Sequence, residues 1–198
     1  AENLDTTTEE KIKEAARVVF HKKGFAATRT RDIAEEAGIN LALLNYYFRS
    51  KEKLFEIIMK EKIQQLFGII SPILNDEKLT LEKKVDNLIA QYIDMLLHNP
   101  DIPIFVLNEI RNNTDLFKKM QAGKLIQGSH FVQQLKERQP SVHPLQFIIS
   151  ILGMVIFPFV AKPVFKSVGV INERTFIEMM EDRKKLIPLW VKSMLKAK

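Results

Sequence analysis

Residues 40–46 bring together Asn40, Leu41, Ala42, Asn45 and Tyr46, side chains that read surfaces rather than break bonds. An asparagine can pair with N6 and N7 of adenine, and a small apolar group can touch a thymine methyl. Upstream, Thr28, Arg29, Thr30 and Arg31 fall at the start of a predicted helix, where free N–H groups and the helix dipole favour a phosphate. Lys51 falls at the start of another predicted helix and carries the same expectation. Tyr46 is placed to reach a phosphate. Tyr47 is kept among the DNA contacts, although its spacing turns the ring inward. Such phosphate contacts position a reader and carry no sequence information.

Other chemistries find little support. His21, His98, His130 and His143 are scattered, and no His/Glu pair has metal spacing. No glycine-rich phosphate loop or nucleophile elbow is present, so neither an enzyme nor a cofactor or metal site is expected. The absence of cysteine excludes disulfides and fits a reducing cytoplasm. The net charge of +6 permits a polyanionic partner. The positive charge is local: residues 1–20 carry a net −2, residues 21–53 a net +3. The polar, acidic N-terminus is unlike a signal peptide. The most apolar window, Phe147–Ala161, is shorter than the roughly 20 residues of a membrane helix and is followed by Lys162 and Pro163, so no membrane partner is expected.

The elements that must position these residues are helical throughout. Thr7 with Glu10 fits a capping box, and Ile12, Ala15, Ala16, Val19 and Phe20 form the apolar stripe of a first helix that Gly24 stops. Short helices over about Thr30–Ala37 and Leu41–Phe48 follow, the second capped by Asn40. Ile33, Ala34, Ala37, Ile39, Leu44 and Tyr47 face inward between them, and Gly38 supplies a left-handed turn. This is a helix-turn-helix, the layout that puts a helix into the major groove. Ser50 can cap a fourth helix running to about Ile70, before Pro72. Further helices are predicted at about Leu81–Leu97, Ile104–Arg111, Leu116–Arg138, Leu145–Phe165 and Glu173–Lys196. The spacing predicts an all-α protein of about nine helices. A three-helix DNA-binding domain over residues 1–52 joins a helical domain over 53–198 without a linker.

The run from Thr8 to Leu54 resembles the N-terminal domain of the TetR (tetracycline-repressor-like) family. Ile12, Ala15, Ala16, Phe20, Gly24, Phe25, Thr28, Ile33, Ala34, Ala37, Gly38, Ile39, Tyr47, Phe48, Ser50, Lys51 and Leu54 carry the resemblance. It covers about the first quarter of the chain. The resemblance implies a homodimeric, all-α, cytoplasmic bacterial transcriptional regulator, usually a repressor released from a palindromic operator by a small ligand. The chain departs from the family at Arg29, Asn40, Leu41 and Asn45, which bears on the operator sequence.

The segment 145–165 is apolar nearly all round, with Phe147, Ile151, Met154 and Pro158 on one stripe and Ile148, Leu152, Val155 and Phe159 on another. Two apolar faces imply a second burial partner. The resemblance implies a four-helix dimer interface from the last two helices, with Phe147, Ile151, Met154, Pro158, Phe176, Met180, Ile187 and Trp190 as candidates. It also implies an effector pocket. Apolar candidates are Phe67, Tyr92, Met95, Phe105, Met120 and Phe131, with Asn108, Glu109 or Gln127 as polar anchors. Their apolar bias favours a hydrophobic or amphipathic effector. A helical scaffold without DNA function, and a regulator that senses no ligand, are the alternative readings.

Overall fold

A computed structural model describes residues 2–112, 118 and 122–196. Among these residues it holds ten α-helices and no strand. They are α1 (Glu2–Ala27), α2 (Thr30–Ala37), α3 (Leu41–Phe48), α4 (Lys51–Asn75), α5 (Leu81–His98), α6 (Ile102–Asn112), α7 (Ala122–Gly128), α8 (His130–Arg138), α9 (Pro144–Ser167) and α10 (Glu173–Met194). They form two compact units, residues 1–63 and 64–198, and the division falls inside α4.

The first unit is built on the expected stripe. Ile12, Ala15, Ala16, Val19 and Phe20 of α1 are buried with Ile33, Ala34 and Ala37 of α2, Leu44 and Phe48 of α3, and Leu54, Ile58 and Met59 of α4. Each fully buried Ile, Leu or Phe stabilises by about 1.5–3 kcal/mol. The small Ala34 and Ala37 let α2 approach α1 closely. Glu61 of α4 accepts from two cations of α1: Lys13 Nζ at 2.8 Å and Arg17 NH2 at 2.6 Å. Phe20, Phe25 and Phe55 stack alongside, with centroids 4.5–6.0 Å apart.

One expectation is corrected here. The first helix begins at Glu2, so Thr7 lies inside it and is no N-cap. The upstream residues contain acids and no Gly or Pro, and nothing in their chemistry stops the helix. Gly24 leaves helical geometry (φ 72°, ψ 163°) and breaks the run where expected, and a short helical turn to Ala27 follows the kink.

In the second unit α5 carries the buried row Leu81, Val85, Ile89, Ile93 and Leu96, and it packs on α8, α9 and α10. Two ion pairs fix α5 and α10 antiparallel: Asp86 with Lys192 at 2.7 Å and Asp94 with Lys184 at 2.5 Å. Thr80 caps α5 by accepting from the Lys83 N–H.

Three boundaries differ from the sequence expectation. α4 continues through Pro72 to Asn75. The proline costs the bond to the Gly68 carbonyl, but the helix holds beyond it: Leu74 is buried, and the Asn75 amide donates to the Ser71 carbonyl at 3.0 Å. The stretch expected as one helix over 116–138 breaks at Ser129, whose hydroxyl accepts from the Val132 N–H and opens α8; residues 116, 117 and 119–121 of it lie outside the described residues. Finally, α9 spans 24 residues, long and apolar enough to cross a membrane by length and composition. It packs instead against α5, α6, α8 and α10.

Candidate nucleic-acid interface and apolar cavity

The turn between α2 and α3 follows from local rules. Gly38 adopts φ 62°, ψ 38°. Its N–H donates to the Glu35 carbonyl at 3.0 Å, and the Ile39 N–H reaches back to Ala34 at 3.0 Å. This pair of bonds satisfies two orphan carbonyls and needs a left-handed residue. Asn40 then caps α3, its side-chain oxygen accepting from the Leu43 N–H at 2.7 Å. At the other end of α2, Asp32 accepts from the Arg29 N–H at 2.9 Å and pairs with Lys23 at 3.1 Å. That backbone hydrogen bond, then Lys23, holds the Asp32 carboxyl below the usual carboxylate range.

The turn leaves one face of α3 in solvent. Leu44 and Phe48 point into the core, while Asn40, Ala42 and Asn45 are exposed and Leu41 is half-buried. Tyr46 is 76% exposed. Tyr47 is half-buried and meets Tyr46 edge-on at 5.4 Å. Arg29 and Arg31 are exposed and Thr30 half-buried beside the α2 N-terminus.

Two expected phosphate contacts are placed differently. Thr28 is 2% exposed, and its hydroxyl donates to the Gly24 carbonyl at 2.7 Å. Lys51 turns its ammonium into the domain, where it donates to the carbonyls of Phe25 at 3.0 Å and Thr28 at 2.9 Å. It also sits 4.3 Å from the centre of the Phe25 ring. Between them the two residues close the carbonyls left open at the kinked end of α1. Only the fold around Gly24 brings those carbonyls to residue 51.

The sequence reading missed Arg49. It links α3 to α4 with φ 60°, ψ −39°, and its side chain is exposed. A positive φ in a residue with a Cβ costs about 1–3 kcal/mol and tends to gather at functional sites. A single residue between the end of α3 and the Ser50 cap was the available signal.

The second unit holds a cavity of about 190 Å³, partly open to solvent. Its walls come from α4 (Leu66, Phe67, Ile70, Leu74), α5 (Leu88, Ile89, Tyr92), α7 and α8 with the residue between them (Ile126, Ser129, Phe131, Val132), and α9 (Ile148, Ile151, Leu152, Val155). Of the expected ligand contacts, the structure brings Phe67, Tyr92 and Phe131 together there. Met95 and Phe105 lie off the cavity, and Asn108 and Gln127 face solvent. Met120 and the Glu109 side chain lie outside the described residues. Tyr92 is half-buried against this apolar wall, and burial pushes its phenol pKa up to about 12. Near the Leu74 end, fully buried Lys84 donates to the Leu74 carbonyl at 3.0 Å and meets His130 Nδ1 at 2.8 Å. Burial lowers the Lys84 pKa.

The α9 and α10 surfaces also resolve differently from the expected stripe. Phe147, Phe176, Met180 and Ile187 are buried in their own chain, and Ile151 lines the cavity. Met154 and Pro158 are half-buried. The uncovered face is Leu145, Ile149, Phe157 and Val164 on α9 with Ile177, Leu186, Leu189 and Trp190 on α10. A helix apolar all round gives no phase from which to choose its core face.

Residues 12–58 match the tetR family of bacterial regulatory proteins. A probable HTH-type transcriptional regulator of Bacillus subtilis, YttP, is 22% identical over 98% of this chain and 96% of its own. The fatty acid degradation regulator FadR from Bacillus halodurans shares the fold, with a TM-score of 0.65 at 17% identity over 92% of this chain and 93% of its own. FadR from Bacillus subtilis in complex with stearoyl-CoA gives a TM-score of 0.60 at 18% identity, over 89% of this chain and 96% of its own.

Proposed function

We propose that the chain, whose residues 12–58 match the tetR family of bacterial regulatory proteins, is a DNA-binding transcriptional regulator of that family and acts as a homodimeric repressor, released from a palindromic operator by a small hydrophobic or amphipathic ligand. The observation that carries the DNA reading is α3: a capped helix, held by the Gly38 turn, with Asn40, Ala42, Asn45 and Tyr46 left outside the core. Asn45 and Ala42 would read bases. Arg29, Arg31 and Arg49 would meet phosphates on either side. The uncovered apolar face of α9 and α10 supports self-association, since a surface of this kind on a lone chain invites burial. Two copies would set their α3 helices about 34–36 Å apart. The protein would work by binding rather than catalysis, in the bacterial cytoplasm.

For release, the ligand must bind the DNA-incompetent form better than the competent one, and the shift cannot exceed that difference. α4 is the proposed carrier, because it lends residues both to the core of the first unit and to the cavity wall of the second.

Selection from random duplex DNA tests the reading. An enriched palindrome with half-sites one helical turn apart is the expected result. No enrichment, or a monomer by light scattering at micromolar concentration, refutes it.

A further inference from the structure

Among the described residues the cavity wall counts 15, none of them charged, and only Tyr92 and Ser129 of these bring polar side chains. Ser129 is committed: its hydroxyl accepts from the Val132 N–H at 3.3 Å and donates toward the Ile126 carbonyl at 3.5 Å. The Tyr92 hydroxyl makes no hydrogen bond among the described residues. The Tyr92 side chain is half-buried, so water can serve a hydroxyl that has no protein partner, and a guest that displaces that water must supply an acceptor in its place.

We propose that Tyr92 orients the ligand, and that the ligand is a compact, neutral, apolar molecule carrying one hydrogen-bond acceptor, such as a ketone or an ester. This rests on reading the cavity as the effector site. Size points to a compact guest: an engineered apolar cavity of about 150 Å³ takes benzene, whereas drug-sized sites run to about 300–1,000 Å³. Charge points to a neutral one. An anion entering this wall finds no cation among its described residues, and desolvating an unpaired carboxylate costs far more than desolvating a carbonyl. Lys84, which reaches the Leu74 end of the wall, is held on the Leu74 carbonyl and His130 and does not line the cavity. With its pKa raised to about 12 by burial, Tyr92 stays a neutral donor throughout the physiological range. The class therefore differs from the stearoyl-CoA bound to the Bacillus subtilis FadR.

Calorimetric titration of the full-length parent and of Tyr92→Phe with heptane, 2-heptanone and heptanoate tests this. In the parent, 2-heptanone binds more tightly than heptanoate. In Tyr92→Phe its affinity falls about threefold to tenfold, the worth of one neutral hydrogen bond, while that of heptane is unchanged. An unshifted melting temperature shows that the variant is folded. Tighter binding of heptanoate overturns the proposal and transfers the ligand head to Lys84. Equal weakening of heptane and 2-heptanone in Tyr92→Phe overturns the orienting role. If none of the three binds the parent, the cavity reading itself fails, and the proposal with it.

Discussion

The two units handle their leftover groups in opposite ways. In residues 1–63, the exposed backbone ends are closed by side chains: Gly38 and Ile39 close α2, Asn40 opens α3, and Thr28 with Lys51 closes the end of α1. What remains outside is a polar face on α3. In residues 64–198 the leftovers are apolar: a cavity, and an uncovered face on α9 and α10. In the first unit the proposed function lies in the side chains that local rules leave over. In the second the proposed function lies in the space that packing leaves over.

The largest test of this contrast compares two leucines. Leu44 is fully buried in a well-filled core, so Leu44→Ala costs about 2–5 kcal/mol and abolishes DNA binding. Leu152 lines the existing cavity and is 39% exposed, so Leu152→Ala costs less than about 1.5 kcal/mol. Chemical denaturation of both variants decides the matter. Equal costs would mean that the two units are packed alike, and the contrast would fail.

The same contrast explains what the sequence makes legible. The helix-turn-helix is short-range: Gly38, Asn40 and Ser50 each act within about four residues, so their roles can be read from the letters alone. The role of Lys51 depends on carbonyls 26 and 23 residues away, which no local pattern encodes. Pro72 reads as a breaker, yet α4 passes through it. Ser129 reads as tolerable inside a helix, yet it caps a new one. For α9 the apolar residues are visible but their phase is not, which is why the expected interface stripe fell partly into the core. The cavity needs five elements at once and is invisible until they are folded.

Two basic residues close in sequence sharpen the contrast inside the first unit. Lys51→Met removes a donor from two carbonyls and should cost about 1–3 kcal/mol of stability. DNA affinity falls for all sequences as the start of α2 loosens, but the salt dependence keeps its slope. Arg49→Gly does the reverse. It releases a left-handed residue, gaining about 1 kcal/mol, and it flattens the slope of log affinity against log salt by about 0.9 if the guanidinium meets a phosphate. Affinity measured from low to high salt, beside a melting curve, separates the two. A flattened slope in Lys51→Met would return that residue to the phosphate contacts.

The smallest expected effect concerns Tyr92, and at neutral pH it is close to nil. Its hydroxyl has no partner to lose among the described residues, so Tyr92→Phe should fold at least as stably as the parent. The difference emerges in alkali. Below about pH 10 the phenol is protonated in both folded and unfolded chains. Between pH 10 and about 12 the unfolded chain releases this proton while the folded one, held by burial, keeps it. The folded state then binds more protons than the unfolded, so stability falls as pH rises through that window. Lysines titrate there too, but they are common to both proteins and cancel in the difference. Parent-minus-variant stability should therefore be level from pH 7 to 9 and decline by pH 11. A level difference throughout would place the Tyr92 phenol in contact with water, and the cavity would then lack the buried donor that distinguishes it from the polar face of α3.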